Sequence, residues 1–157
     1  MDDISVRKFA SSVGLVVGHL GFCPKYRNKI FAHEEIKKRF VELLYEVEKR
    51  HYGKYKIHIH EIGVDVNHAH AIVESGMNCT PAKITQLFKG YTSKKLFEEF
   101  PWLRKRYFWG GKMWTKSHYY KTTGPANYNV VKNYVRNQEK KHMDERNQTK
   151  LNNFMSS

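Results

Sequence analysis

Two periodicities that follow one another directly constrain this chain most. From His33 to Arg50 the apolar residues Ile36, Phe40, Leu43, Leu44 and Val47 recur at i, i+4, i+7, i+8 and i+11, with charged residues between them. That is the one-sided stripe of an amphipathic helix. The pattern then changes to period two. Lys54 to Gly63 places Ile57 and Ile59 on one face and His58, His60 and Ile62 on the other. After a short turn around Asp65, His68 to Ser75 alternates Ala69, Ala71 and Val73 with His68, His70, Ile72 and Glu74. These two runs predict a β-hairpin. A helix and a hairpin that are each apolar on one side must bury those sides together, which commits the chain to a layered α+β arrangement.

The remaining segments fit the same layers. Val13 to Phe22 is apolar and β-rich and is ended by Cys23-Pro24, while Gly53 is positioned to close the first helix. Thr80-Pro81 is an N-cap with proline in the first turn, and Ile84, Leu87, Phe88 and Tyr91 give a second helix its stripe as far as about Phe100. Gly110-Gly111 breaks the chain, Met113 to Thr122 reads as a fourth strand, and Gly124-Pro125 leads into a third helix over about 127–141. The order β-α-β-β-α-β plus a helix predicts a ferredoxin-like antiparallel sheet with both main helices on one face. At 157 residues, with 40% apolar and 14% aromatic residues, the chain suits one domain, expected over 1–141 with a polar tail at 142–157.

Charge narrows the class of partner. The formal net charge is +13, and the 39 residues from Lys83 to Lys121 carry +8 of it. Phe88 to Tyr120 also holds eleven of the 22 aromatic residues. Cations interleaved with rings suit single-stranded nucleic acid, the cations following phosphates and the rings stacking on unpaired bases. Taken singly, most of these rings are expected in the core with the cations on a solvated face, but the cluster as a whole favours nucleic acid. No run approaches the roughly 18–20 apolar residues of a membrane span. Cys23 and Cys79 are too few for a disulfide framework. A cytoplasmic protein without a membrane partner is therefore expected.

Two residue pairs carry chemistry. His68-Ala69-His70 on a strand turns both imidazoles to one face, where they could hold a divalent metal. His58-Ile59-His60 has the same spacing, so either pair, or neither, could be the ligand pair. In the last helix Tyr134 and Gln138 stand at i, i+4 and share a face, beside the apolar stripe of Tyr128, Val131 and Val135. Against the sheet, that face would bring a phenol and an amide oxygen to the histidines. Tyr119 and Tyr120 are the alternatives if the helix is misplaced.

Several segments together resemble the small HUH single-tyrosine transposases of the insertion sequence 200/605 family. They are Cys23-Pro24-Lys25-Tyr26-Arg27, Asn67-His68-Ala69-His70, Lys89-Gly90-Tyr91-Thr92-Ser93, Trp114-Thr115-Lys116-Ser117 through Gly124, and Val130 through Gln138. Ala69 at the hydrophobic position and Pro125 in place of a more usual Gly are the departures. The resemblance implies that His68, His70 and Gln138 ligate Mg²⁺ or Mn²⁺ and that Tyr134, on the extra C-terminal helix, is the nucleophile. It implies cleavage and rejoining of single-stranded DNA at hairpin-bearing element ends through a 5′-phosphotyrosine. It also implies a homodimer in which each His pair meets the partner's tyrosine helix. His58-Ile59-His60 has no counterpart in the family. Lys25, Arg27, Lys89, Lys94, Lys95, Arg104, Lys105 and Arg106 are the expected DNA contacts. The competing readings are a non-catalytic single-stranded DNA- or RNA-binding module on the same sheet, and a structural metalloprotein built on the His-rich hairpin.

Overall fold

The helix and hairpin stripes meet in a computed structural model, which describes residues 14–116 and 120–125 together with Asn133, Arg136, Asn137, Lys140, Lys141, Met143, Asp144, Arg146 and Asn147. The strands are β1 (Leu15–Phe22), β2 (His58–Val64), β3 (Ala69–Gly76) and β4 (Tyr120–Pro125). They form one sheet in the order β2-β3-β1-β4, antiparallel at every pairing. The helices are α1 (Glu34–Tyr55), α2 (Pro81–Thr85), α3 (Tyr91–Glu99) and α4 (Trp102–Tyr107). This is the ferredoxin-like α+β arrangement that the element order predicts.

One apolar cluster joins the layers. Ile36, Phe40, Leu43, Leu44 and Val47 of α1 meet Leu20 and Phe22 of β1, Ala69, Ala71 and Val73 of β3, and Ile84, Phe88 and Leu96 of the second helical segment. That segment begins where Thr80 accepts a hydrogen bond from the Lys83 amide. It passes through a single π-helical turn, Gln86–Gly90, between α2 and α3. Such turns are rare and often mark functional positions.

Four details differ from the sequence expectation. First, α1 continues through Gly53 to Tyr55, and Lys56 supplies the left-handed cap (φ 55°), its N–H donating to the Tyr52 carbonyl. Packing of Tyr55 against the core supports the extra turn, which outweighs the weak helix propensity of Gly53. Second, β2 bulges. Ile59 faces Val73 but Glu61 faces Ile72, so His60 is the extra residue. The bulge moves Ile62 opposite Ala71 and against the core, not onto the histidine face. Third, the last strand starts at Tyr120. Met113 to Thr115 instead extends the end of β1 through a Pro24–Trp114 bridge and the bonds Lys25 N–H to Met113 O and Thr115 N–H to Cys23 O. Fourth, the short α4 occupies the stretch before Gly110-Gly111 that sequence periodicity leaves unassigned.

The helix expected over 127–141 carries Tyr134 and Gln138, and both lie outside the described residues. The described positions from Asn133 onward are helical and exposed, and they continue to Asn147.

Gly18 shows how tightly β4 is set. The Tyr120 ring lies where a Gly18 Cβ would stand, and the Tyr120 hydroxyl donates to the Val73 carbonyl at 3.0 Å. Gly18→Ala should therefore destabilise the fold by about 1–3 kcal/mol through overpacking, read as a lower midpoint in urea unfolding. An unchanged midpoint would show that the ring can move.

Candidate active site

The site follows from the alternation of β3. Ala69 is turned into the core, which leaves His68, just before the strand, and His70, within it, on the opposite face. The cross-strand partners of His70 are Gly21 on β1 and Gly63 on β2. No side chain of the neighbouring strands therefore flanks the imidazole in its own row, while its Nε2 is itself buried. The His68 side chain is 49% exposed, its Nδ1 lies 2.9 Å from Asn67 Oδ1, and its Nε2 lies 3.6 Å from Asp65. His19 of β1, which sequence reasoning passed over inside an apolar strand, meets His70 edge to face at 5.1 Å. The signal for it was its place in the alternation, one residue before the buried Leu20.

The face away from the helices is not open throughout. Val17, Ile72 and Glu74 lie on it and are buried. His60 belongs to this covered part, and His58 stands beside it, about one-third exposed. Their rings meet at 4.6 Å, His58 Nδ1 lies 3.3 Å from Glu48, and His60 Nε2 lies 3.8 Å from Glu74. Burial pushes the His60 imidazole below its ordinary range, although Glu74 pulls the other way. Burial raises the Glu48 carboxyl, but hydrogen bonding to His58 and from the Ile59 amide outweighs it, and the group ends below its ordinary range. This pair is thus engaged with carboxylates, whereas His70 is flanked by glycine on both neighbouring strands.

Tyr120 is withdrawn as an alternative nucleophile, because it is buried with its hydroxyl on Val73. Tyr119 lies outside the described residues. Among the described residues no three His, Cys, Asp or Glu side chains group to hold a metal ion. His68 and His70 furnish two imidazole donors. Two neutral imidazoles are donors that fit a divalent cation retaining positions for phosphate oxygens.

The expected DNA contacts divide. Lys89, Lys94 and Arg104 line one groove of about 590 Å³ with Lys112 and Lys116, and no carboxylate is in its lining. Burial lowers the Lys89 ammonium from its ordinary range. Lys25 and Arg27 sit in the turn joined to the groove wall at Met113. Lys95 turns instead to Glu98 at 3.7 Å, and Arg106 lies over the Tyr107 ring. Lys105 is exposed on α4, outside the groove lining. Most rings of the basic region belong to the core: Phe88, Phe108, Trp114 and Tyr120 are buried, whereas Trp109 is 85% exposed.

A family model described as "Transposase IS200 like" matches residues 12–138. The chain belongs to this transposase family. A crystal structure of a candidate transposase from Deinococcus radiodurans R1 is similar in fold, with a TM-score of 0.61 at 20% identity, covering 82% of this chain and 94% of that one. No curated protein matches the sequence. The matched span of the IS200-like model takes in His68 and His70 and extends to Gln138. No described helix of this transposase-family chain is long and apolar enough to cross a membrane.

The buried His60 has a measurable consequence. Its folded pKa lies below the unfolded value of about 6.5, so the unfolded chain takes up the proton first and stability falls as pH drops below that value. Glu48, with a depressed folded pKa, loses stability in the same direction at lower pH. The thermal midpoint should fall between pH 7.5 and 5.5, and His60→Gln should flatten that fall. An equally steep fall in the variant would place the sensitivity elsewhere.

Proposed function

We propose that this chain is a metal-dependent transposase that cleaves and rejoins single-stranded DNA through a covalent 5′-phosphotyrosine on Tyr134. The observation that carries the reading is the His68/His70 pair on one sheet face, with Gly21 and Gly63 opposite His70, within a family match that also spans Tyr134 and Gln138. His68, His70 and Gln138 would hold Mg²⁺ or Mn²⁺. When bound, such a cation neutralises charge on the scissile phosphate and polarises its phosphorus–oxygen bonds.

The chain's own residues do the rest. The Tyr134 phenol oxygen attacks phosphorus, a P–O bond to tyrosine forms, and the P–O3′ bond breaks. The phenolic proton leaves the nucleophile, and the departing 3′ oxygen ends as a hydroxyl. Attack by a different 3′-hydroxyl reverses the step and joins new strands, so bond energy is conserved and no nucleotide cofactor is needed. His19 packs edge to face on His70 and limits the rotation of its ring.

The grip would come from the five-cation groove of Lys89, Lys94, Arg104, Lys112 and Lys116 with Lys25 and Arg27 at its border. It suits a bent single strand with hairpin ends. In the assembly we favour, a homodimer, the tyrosine helix of one copy meets the His pair of the other.

The test uses labelled single-stranded oligonucleotide carrying a hairpin, with Mg²⁺ or Mn²⁺. A denaturation-resistant protein–DNA adduct is expected, absent in Tyr134→Phe. His68→Ala should reduce it about 100-fold or more, since even partners of a metal ligand contribute 10–100-fold, while DNA affinity is kept. Binding without an adduct across many end sequences would instead favour a non-catalytic binding module.

A further inference from the structure

One strained segment is unused by the reaction above. Tyr26 and Arg27 both have positive φ, 61° and 51°. A Cβ disfavours that backbone, and glycine is the usual occupant where a turn alone is required. The segment is nonetheless held firmly. The Lys25 N–H donates to the Met113 carbonyl at 2.8 Å, and the Arg27 N–H donates to the Pro24 carbonyl at 3.0 Å. The Asn28 side-chain amide donates to the carbonyls of both Lys25 and Tyr107 at 3.0 Å. Cys23 before it and Ile30 and Phe31 after it are buried.

This bracing turns the Tyr26 ring outward, where it is 83% exposed and contributes nothing to the core. Exposed Arg27 and Lys29 and half-buried Lys25 are its neighbours in sequence. The partners of the segment, Met113, Trp114 and Thr115, line the basic groove. A solvent-facing ring on a braced backbone, next in sequence to Lys25 and Arg27 and joined to the groove wall, has the form of a stacking platform for one unpaired base, with the flanking phosphates on the cations. Backbone strain kept at a surface position is characteristic of functional sites.

We propose that Tyr26 is a base-stacking residue that receives an unpaired nucleotide of the single strand as it enters the Lys89–Lys116 groove. The proposal rests on the single-stranded DNA reading above. It adds a contact to the nucleobase that the cations alone do not make.

Three proteins test it: wild type, Tyr26→Trp and Tyr26→Gly. Fluorescence anisotropy measures their affinity for a hairpin-bearing single strand, and thermal unfolding is followed alongside. Tyr26→Gly, relieved of the left-handed strain, should unfold at the same or a higher temperature yet bind about tenfold more weakly, in the range for loss of one stacked base. Tyr26→Trp should bind as wild type does. In an oligonucleotide scan with single abasic sites, one position should weaken wild type by that same factor and leave Tyr26→Gly unaffected. Equal affinity of Tyr26→Gly and wild type, or no position at which the two losses merge, overturns the platform alone. A large drop in unfolding temperature or a changed oligomeric state in Tyr26→Gly also overturns it, assigning the residue to the fold or to a contact between copies. Failure of wild type to bind any single strand overturns the parent reading, and the platform with it.

Discussion

Everything distinctive in this molecule depends on the burial of one side of β3. Ala69, Ala71 and Val73 pack against α1 and the second helical segment. Because a strand alternates with period two, that burial obliges His68, His70, Ile72 and Glu74 to the other face. A slip of one residue would carry both imidazoles into an apolar core and expose three small apolar side chains, so the register is strongly specified. The neighbouring strands complete the arrangement with Gly21 and Gly63 beside His70. The core and the site are therefore two consequences of the same pairing.

The second organising element is electrostatic. The acidic residues of the basic stretch are both engaged away from the groove, Glu99 with Arg39 at 2.7 Å and Glu98 with Lys95 at 3.7 Å. The groove lining keeps five cations and no carboxylate. Side-chain hydroxyls shape its wall: Thr92 donates to the Phe88 carbonyl and accepts from the buried Trp114 indole N–H, and Ser93 donates to the Lys89 carbonyl. Most aromatic rings of the region stabilise this wall from behind, which leaves stacking to the few rings held in solvent. Tyr26 differs from the buried rings in that strained, braced backbone holds it there.

The parts of this structure legible in the sequence are those with a strict period. The stripe Ile36–Val47 reproduces the buried residues of α1 one for one, and the alternation Ala69, Ala71, Val73 gives the core-facing side of β3, although Ile72 and Glu74 on the other face are buried as well. The parts that were not legible depend on irregular backbone. A bulge at His60 reverses the facing of Ile62, and no local residue type announces it. Gly53 looks like a helix stop, yet the stop is the left-handed Lys56, a conformation that tertiary packing imposes. Trp114 has the composition of a strand residue but pairs beyond the end of β1 with Pro24. For the site, the spacing of His68 and His70 was readable. The distinction between that pair and His58/His60 on the residues alone was not, because it depends on which carboxylates and glycines lie across the strands. His19 was hidden for the same reason.

In the proposed reaction the His68/His70 pair serves a tyrosine nucleophile on the C-terminal helix. The most direct measurement is peptide mass spectrometry of the protein after reaction with a hairpin-bearing single strand, followed by nuclease and protease digestion. The account predicts a 5′-phosphonucleotide remnant on the peptide containing Tyr134 and on no other. A remnant on Tyr119 or any other residue, or none from a strand that is demonstrably cut, would contradict it.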